Sequence, residues 1–230
     1  MKVKKAISFL VFFALGMESI YSQTFNQPNI ALKSHETLEI LKVEISVEST
    51  VLYLSIENRI VGGNFCADRN IFIMYPDGTR IKLVKSTGIP ECPDTHVFRN
   101  IGEKLGFTLT FPPLKSGTKW IDVIEDCTGN CFSFYGVTLD NELNDKLNEA
   151  FFFADRGEDT KAILALKNIL GSIESKNLGI EGALYADIIS LTIKTGDKAG
   201  GEVLYKKMLS SSAPRLDLFI RNLNNMGIKY

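Results

Sequence analysis

Up to about residue 140, apolar and polar residues alternate with a period of two, and Gly and Pro punctuate the runs. That pattern belongs to half-buried strands joined by turns. From residue 141 onward the apolar positions recur at helical spacing. The change of period predicts a segregated α+β protein, strands first and helices after.

Seven strands are expected, at residues 37–47, 51–57, 70–75, 80–85, 107–111, 118–125 and 132–139. In the first, the apolar set switches from Leu38 and Ile40 to Leu41, Val43, Ile45 and Val47. A change of face inside one strand predicts a β-bulge. Ile71, Phe72, Ile73 and Met74 form an unbroken apolar run, as in a strand covered on both sides. The turn Tyr75-Pro76-Asp77-Gly78 joins it to the next strand, since Pro presets φ and Gly accepts positive φ. Phe132, Phe134 and Gly136 are expected on one face of the last strand. Seven short antiparallel strands suggest an immunoglobulin-like β-sandwich, with a barrel as the alternative. No cysteine sits mid-strand, so the antibody disulfide pattern is absent.

The helical part reads as two hairpins and a last helix. The first helix, about residues 141–156, carries Leu143, Leu147, Ala150, Phe151 and Ala154. Phe152 and Phe153 widen its apolar arc and predict packing against both a partner helix and the sandwich. A second helix follows at 160–173, capped by Asp159, and a third at 180–194. A fourth at 198–209 contains Gly200 and Gly201, each costing about 1 kcal/mol of helix propensity. The fifth opens near Pro214, a residue suited to a first helical turn.

The amino terminus changes the compartment. Lys2, Lys4 and Lys5 lead into an apolar run from Ala6 to Met17, then a polar stretch ending at Ser22. This is the layout of a signal peptide, residues 1–22, with cleavage expected after Ser22. A retained amphipathic anchor is the alternative. The run is too short to cross a hydrocarbon core of ~30 Å, and no other stretch suffices. The first cysteine is Cys66, so a lipid-modified leader is not expected. Export to the periplasm or cell exterior follows. The expected domains are residues 23–140 and 141–230. Removing the leader takes away three lysines and Glu18, moving the formal net charge from −1 to −3. No basic stripe supports a nucleic-acid partner.

The cysteines Cys66, Cys92, Cys127 and Cys131 are even in number, which in an exported chain favours disulfides over a four-thiolate metal site or free thiols. If strands run alternately up and down, all four lie at one pole, together with the long loops 58–69 and 86–104. Three pairings are open. Cys66–Cys92 with Cys127–Cys131 is preferred, because a short hairpin can set positions i and i+4 opposite each other.

Catalytic chemistry is sparse. The chain has two histidines, His35 and His96, and no metalloprotease, nucleophile-elbow or phosphate-loop motif, so no catalytic residue and no cofactor are assigned. His96 with Glu91, Asp94 and Cys92 is a conceivable metal site. Cys127 and Cys131 are a conceivable redox pair, though three residues separate them in a turn rather than two at a helix start. Asp122 and Glu125 sit three apart on a strand and face opposite sides, which argues against a paired-carboxylate site.

Two resemblances follow. From Gly157, steps of five, nine and twelve reach Ala162, Leu166 and Ile169; from Gly196, they reach Gly201, Tyr205 and Met208. Over residues 141–210 this resembles tetratricopeptide-type repeats, with an offset of 39 residues where the family has 34. Any antiparallel helix pair turning at glycine meets the same spacing. The run Pro76-Asp77-Gly78, Gly88-Ile89-Pro90, Phe107–Leu114 and Ile121–Glu125 resembles a module at the start of many uncharacterised secreted proteins of Gram-negative bacteria. The expected function is non-enzymatic binding of a partner protein or peptide.

Overall fold

A computed structural model describes residues 22–174 and 176–230; residues 1–21 of the expected leader lie outside the described residues. Among the described residues, twelve strands precede five helices. The strands are β1 (Gln23–Asn26), β2 (Ile30–Lys33), β3 (Leu38–Ile45), β4 (Thr50–Glu57), β5 (Asn64–Phe65), β6 (Ile71–Met74), β7 (Arg80–Lys82), β8 (Lys85–Thr87), β9 (His96–Val97), β10 (Lys104–Phe111), β11 (Trp120–Glu125) and β12 (Ser133–Thr138). The helices are α1 (Asn141–Asp155), α2 (Asp159–Ile173), α3 (Glu181–Lys194), α4 (Lys198–Leu209) and α5 (Leu216–Asn225).

One five-stranded sheet has the order β1-β3-β4-β10-β8, the other β2-β12-β11-β6-β7, and β5 pairs with β9. All of these pairings are antiparallel. Alternate residues of both sheets enter one apolar cluster. Ile40, Leu52, Leu54 and Phe107 come from the first, and Ile71, Ile73, Ile121 and Phe134 from the second. The register of β3 on β4 shifts between Ile40 and Lys42, so Leu41 is the extra residue where the apolar set changes face.

Several expectations need correction. Residues 80–85 are not one strand: β7 ends at Lys82 and the chain crosses to the other sheet as β8. Ile71 and Ile73 are fully buried, but Phe72 and Met74 are only half covered. Arg80 and Lys82 lie near the outer face of Phe72, 6.0 and 5.9 Å from the ring centre. Phe134 and Gly136 do not share a face. The register of β11 on β12 shifts between Ile121 and Val123, and Gly136 takes φ +64° there.

In the helical part, α1 packs on α2, α2 on α3, and α3 on both α4 and α5. The cap of α2 is Glu158, not Asp159; Asp159 lies in the first turn and accepts from Lys194 Nζ at 2.8 Å. Pro214 precedes α5, which starts at Leu216 because Arg215 adopts left-handed φ +54°. Phe152 is exposed, with the Arg156 guanidinium 5.4 Å from its ring. The arc of α1 is therefore narrower than its three consecutive phenylalanines suggest. Gly157 and Gly196 end α1 and α3 with positive φ and equivalent hydrogen bonds. Gly157 N–H donates to Ala154 O and Gly196 N–H to Ile193 O, both at 2.9 Å.

The helices cover the outer face of the second sheet. Trp120 and Asp122, on that face of β11, are buried. Trp120 Nε1–H donates to Asn177 O at 2.8 Å. Asp122 accepts from Gly136 N–H at 2.8 Å and pairs with Arg215. The Arg215 guanidinium lies 4.8 Å from the Trp120 ring and 5.5 Å from Tyr135. At the other end of this contact, Asn29 N–H donates to Asn144 Oδ1 at 2.9 Å, and Asn144 Nδ2 donates to Thr138 O at 3.1 Å.

Candidate functional site

The site is built from two loops that run side by side at one end of the sheets. Asn58 organises them. Its N–H donates to Glu103 O at 2.9 Å, its O accepts from Gly102 N–H at 2.8 Å, and its Nδ2 donates to Asn100 O at 2.8 Å. Further along, Phe98 N–H donates to Gly63 O at 2.9 Å, and Ala67 and Cys92 N–H donate to Pro90 O and Ala67 O at 3.1 Å. Long loops are costly to order, and these bonds hold them with little strand structure.

The disulfides add the covalent part. Cys66 joins Cys92 with Cα atoms 5.3 Å apart, and Cys127 joins Cys131 at 5.6 Å. Cys66, Cys92 and Cys127 line a single cleft of about 570 Å³. Replacing Cys127 and Cys131 together by serine is expected to cost about 2 kcal/mol, from the entropy of a loop closed over four residues. Chemical denaturation of the variant beside the parent measures it.

Glu125 lies at the base of this cleft and is buried. It accepts from Asp68 N–H at 2.8 Å and from Phe132 N–H at 2.9 Å, tying the two disulfide-bearing segments together. Burial raises its carboxyl above the ordinary range, and the two backbone donors oppose that rise. Asp122 points the other way, toward the helices, so the two carboxylates do not meet. At the rim, Ser34 Oγ and His35 Nδ1 are 2.8 Å apart, and the His35 ring meets Phe65 edge-on at 6.2 Å. Burial lowers the His35 imidazole below its usual value. Ser34 Oγ also accepts from Ser133 N–H at 2.8 Å, so this contact fixes the lead-in strand.

Other candidates from the sequence fall apart. His96 Nε2 faces Glu103 Oε1 at 3.4 Å and its ring meets Phe98 at 4.8 Å. Glu91 is paired with Arg69. Among the described residues, no group of three His, Cys, Asp or Glu is placed to hold a metal. All four cysteines are in disulfides, so Cys127 and Cys131 form a closed pair.

Sequence reasoning missed a surface. Ile60, Val61, Val97 and Ile101 lie on the two paired loops and are 66, 90, 62 and 59 % exposed. Ile60 also lines the cleft. Turns favour Gly, Asn, Asp, Ser and Pro, each for its own local reason. Two β-branched residues before Gly62-Gly63 break that preference, and this was the available signal. Arg59 and Arg99 are exposed on the same loops and Lys104 at the start of β10, Arg59 and Lys104 being paired with Glu57. No protein-family model, no curated protein and no solved structure matches this chain.

Proposed function

We propose that the chain is an exported, non-enzymatic binding protein whose disulfide-stapled tip engages a partner protein or peptide. One observation carries this reading: four aliphatic side chains stand in solvent on hydrogen-bonded loops beside a cleft. Large apolar side chains exposed together on two hydrogen-bonded loops fit an interaction surface. A rigid presenting loop also lowers the ordering cost of binding.

The export reading is supported by the two disulfides, which persist in oxidising compartments. Among the described residues, no helix is long and apolar enough to cross a membrane. The strand order β3-β4-β10 against β12-β11-β6-β7 supports an immunoglobulin-like sandwich. The equivalent turns at Gly157 and Gly196, with Ala162, Leu166, Ile169 and Gly201, Tyr205, Met208 all buried, support a tetratricopeptide-like repeat. Nothing at His96 or at the Cys127–Cys131 pair favours the metal or redox alternatives over binding.

The test is the double variant Ile60→Asp with Val61→Asp. Both positions are exposed, so its stability is expected within about 0.5 kcal/mol of the parent. A partner crosslinked to the parent in envelope extract is expected to bind the variant at least tenfold more weakly. Equal capture of that partner by both proteins would sink the reading.

A further inference from the structure

We propose that the groove between α1, α3 and α5 binds the cationic end of a basic side chain on a polypeptide partner, with Asp187 as its counter-charge. Ala183, Ala186, Asp187 and Ser190 form one stripe of α3 at helical spacing. Their small neighbours leave an open groove of about 220 Å³. Phe151 of α1 and Phe219 of α5 line the same groove. Pockets for drug-sized ligands measure ~300–1,000 Å³, so this volume suits one side chain rather than a whole small molecule.

Among the described residues, Asp187 is the only titratable one lining the groove. Burial alone pushes its carboxyl up to about 7, with no neighbouring charge or donor contributing. Asp187 is half-buried as a residue, and it has no hydrogen-bond or ion-pair partner among the described residues, whereas each fully buried carboxylate has at least one. Asp122 has Arg215, Glu125 has two backbone N–H groups, and Glu181 accepts from Leu178 N–H at 2.6 Å. Polar groups withdrawn from water normally find partners, and a half-buried carboxylate lining an apolar groove without one matches a ligand that brings the donor. A basic side chain has the matching form, with an apolar stem for the phenylalanine walls and a charged end for the carboxylate. Aromatic faces attract the same cation.

This inference rests on reading the chain as a polypeptide-binding protein, but it concerns a different face from the loop tip. The experiment titrates the full mature chain with N-acetyl-lysine-N-methylamide, the arginine equivalent, and the norleucine equivalent, which lacks the charge. Amide chemical shifts are followed by NMR at pH 8 and pH 5. At pH 8, a basic derivative is expected to bind at least tenfold tighter than the norleucine compound, with shifts centred on Ala154, Ala186 and Ser190. The preference is expected to fade at pH 5, where Asp187 is protonated. Asp187→Asn is expected to abolish it at both pH values.

The variant also reports on itself. The carboxyl is raised in the folded state above its ordinary value of about 3.8, so ionising it costs the folded state. Stability from this group is greatest below about 4, is lost as pH rises to about 7, and is flat above. Asp187→Asn is thus expected to raise the melting temperature at pH 8 more than at pH 5, which shows that it folds. Equal affinity of the basic and norleucine compounds, or an undiminished preference in Asp187→Asn, overturns the proposal. Binding of free n-butylammonium without binding of either basic derivative also overturns it, in favour of a free amine. The Ile60→Asp, Val61→Asp protein is expected to keep this binding, so failure at the tip and failure in the groove are separable.

Discussion

Arg215→Met is expected to destabilise the protein by about 3–5 kcal/mol in urea unfolding, since it strands a buried charge. The Asp122 side chain is 2 % exposed and that of Arg215 is 18 % exposed. Burial already raises the Asp122 carboxyl, and Arg215 with the Gly136 N–H pulls it back. Without the guanidinium, the carboxyl of the variant rises further and takes up a proton more readily. The sign follows: the variant's deficit is smallest at acid pH and grows as pH rises through the elevated Asp122 value.

Methionine keeps much of the stem volume against Trp120 and Tyr135, so the loss reports charge more than packing. The double variant Asp122→Leu, Arg215→Met is expected to recover part of the loss, because removing both partners leaves no stranded charge. Trp120 is the chain's single tryptophan and lies in this contact, so its fluorescence follows the interface directly. A deficit below about 1 kcal/mol for Arg215→Met would show that the pair is not what holds α5 to the sheet.

The second large effect is expected from Gly179→Ala. Gly179 has φ +82°, and a Cβ there would overlap the Trp120 indole, with Cε3 only 2.8 Å away. Backbone strain of about 1–3 kcal/mol adds to a similar overpacking term, so about 4 kcal/mol is expected in total. Trp120 cannot easily retreat, since its Nε1–H is bonded to Asn177 O. Gly78→Ala serves as the control. Gly78 has nearly the same φ, +79°, with nothing within 4 Å of an added Cβ. It carries the strain without the overlap and is expected to cost only about 1 kcal/mol. Similar losses for both glycines would mean that the indole contact contributes little.

Both predictions concern one seam, which shows how far local pattern extends. The bulge at Leu41 was legible because a shift of face leaves a trace in the apolar alternation. The fourth helix, residues 198–209, was legible from helical spacing despite Gly200 and Gly201, while its cap, Asp197 accepting from Gly200 N–H at 2.8 Å, is a finding of the structure. The common pole of the cysteines was legible because antiparallel strands alternate direction, and loops of the same parity share an end. The split of residues 80–85 was not. A crossing between sheets preserves the same apolar positions as a continuous strand, and only the partners of Arg80–Lys82 and Lys85–Thr87 distinguish the two.

The sequence by itself determined the two periods, the order of strands before helices and the turn at Pro76-Asp77-Gly78, because these depend on neighbours within a few residues. Tertiary structure alone decided that the outer face of β11 is buried, that Asp122 meets Arg215 across 93 residues of chain, and that Asp187 is left facing an apolar groove. Those outcomes depend on where one layer docks on another. That docking is governed by summed burial and by long-range pairing, for which no short segment carries a signature.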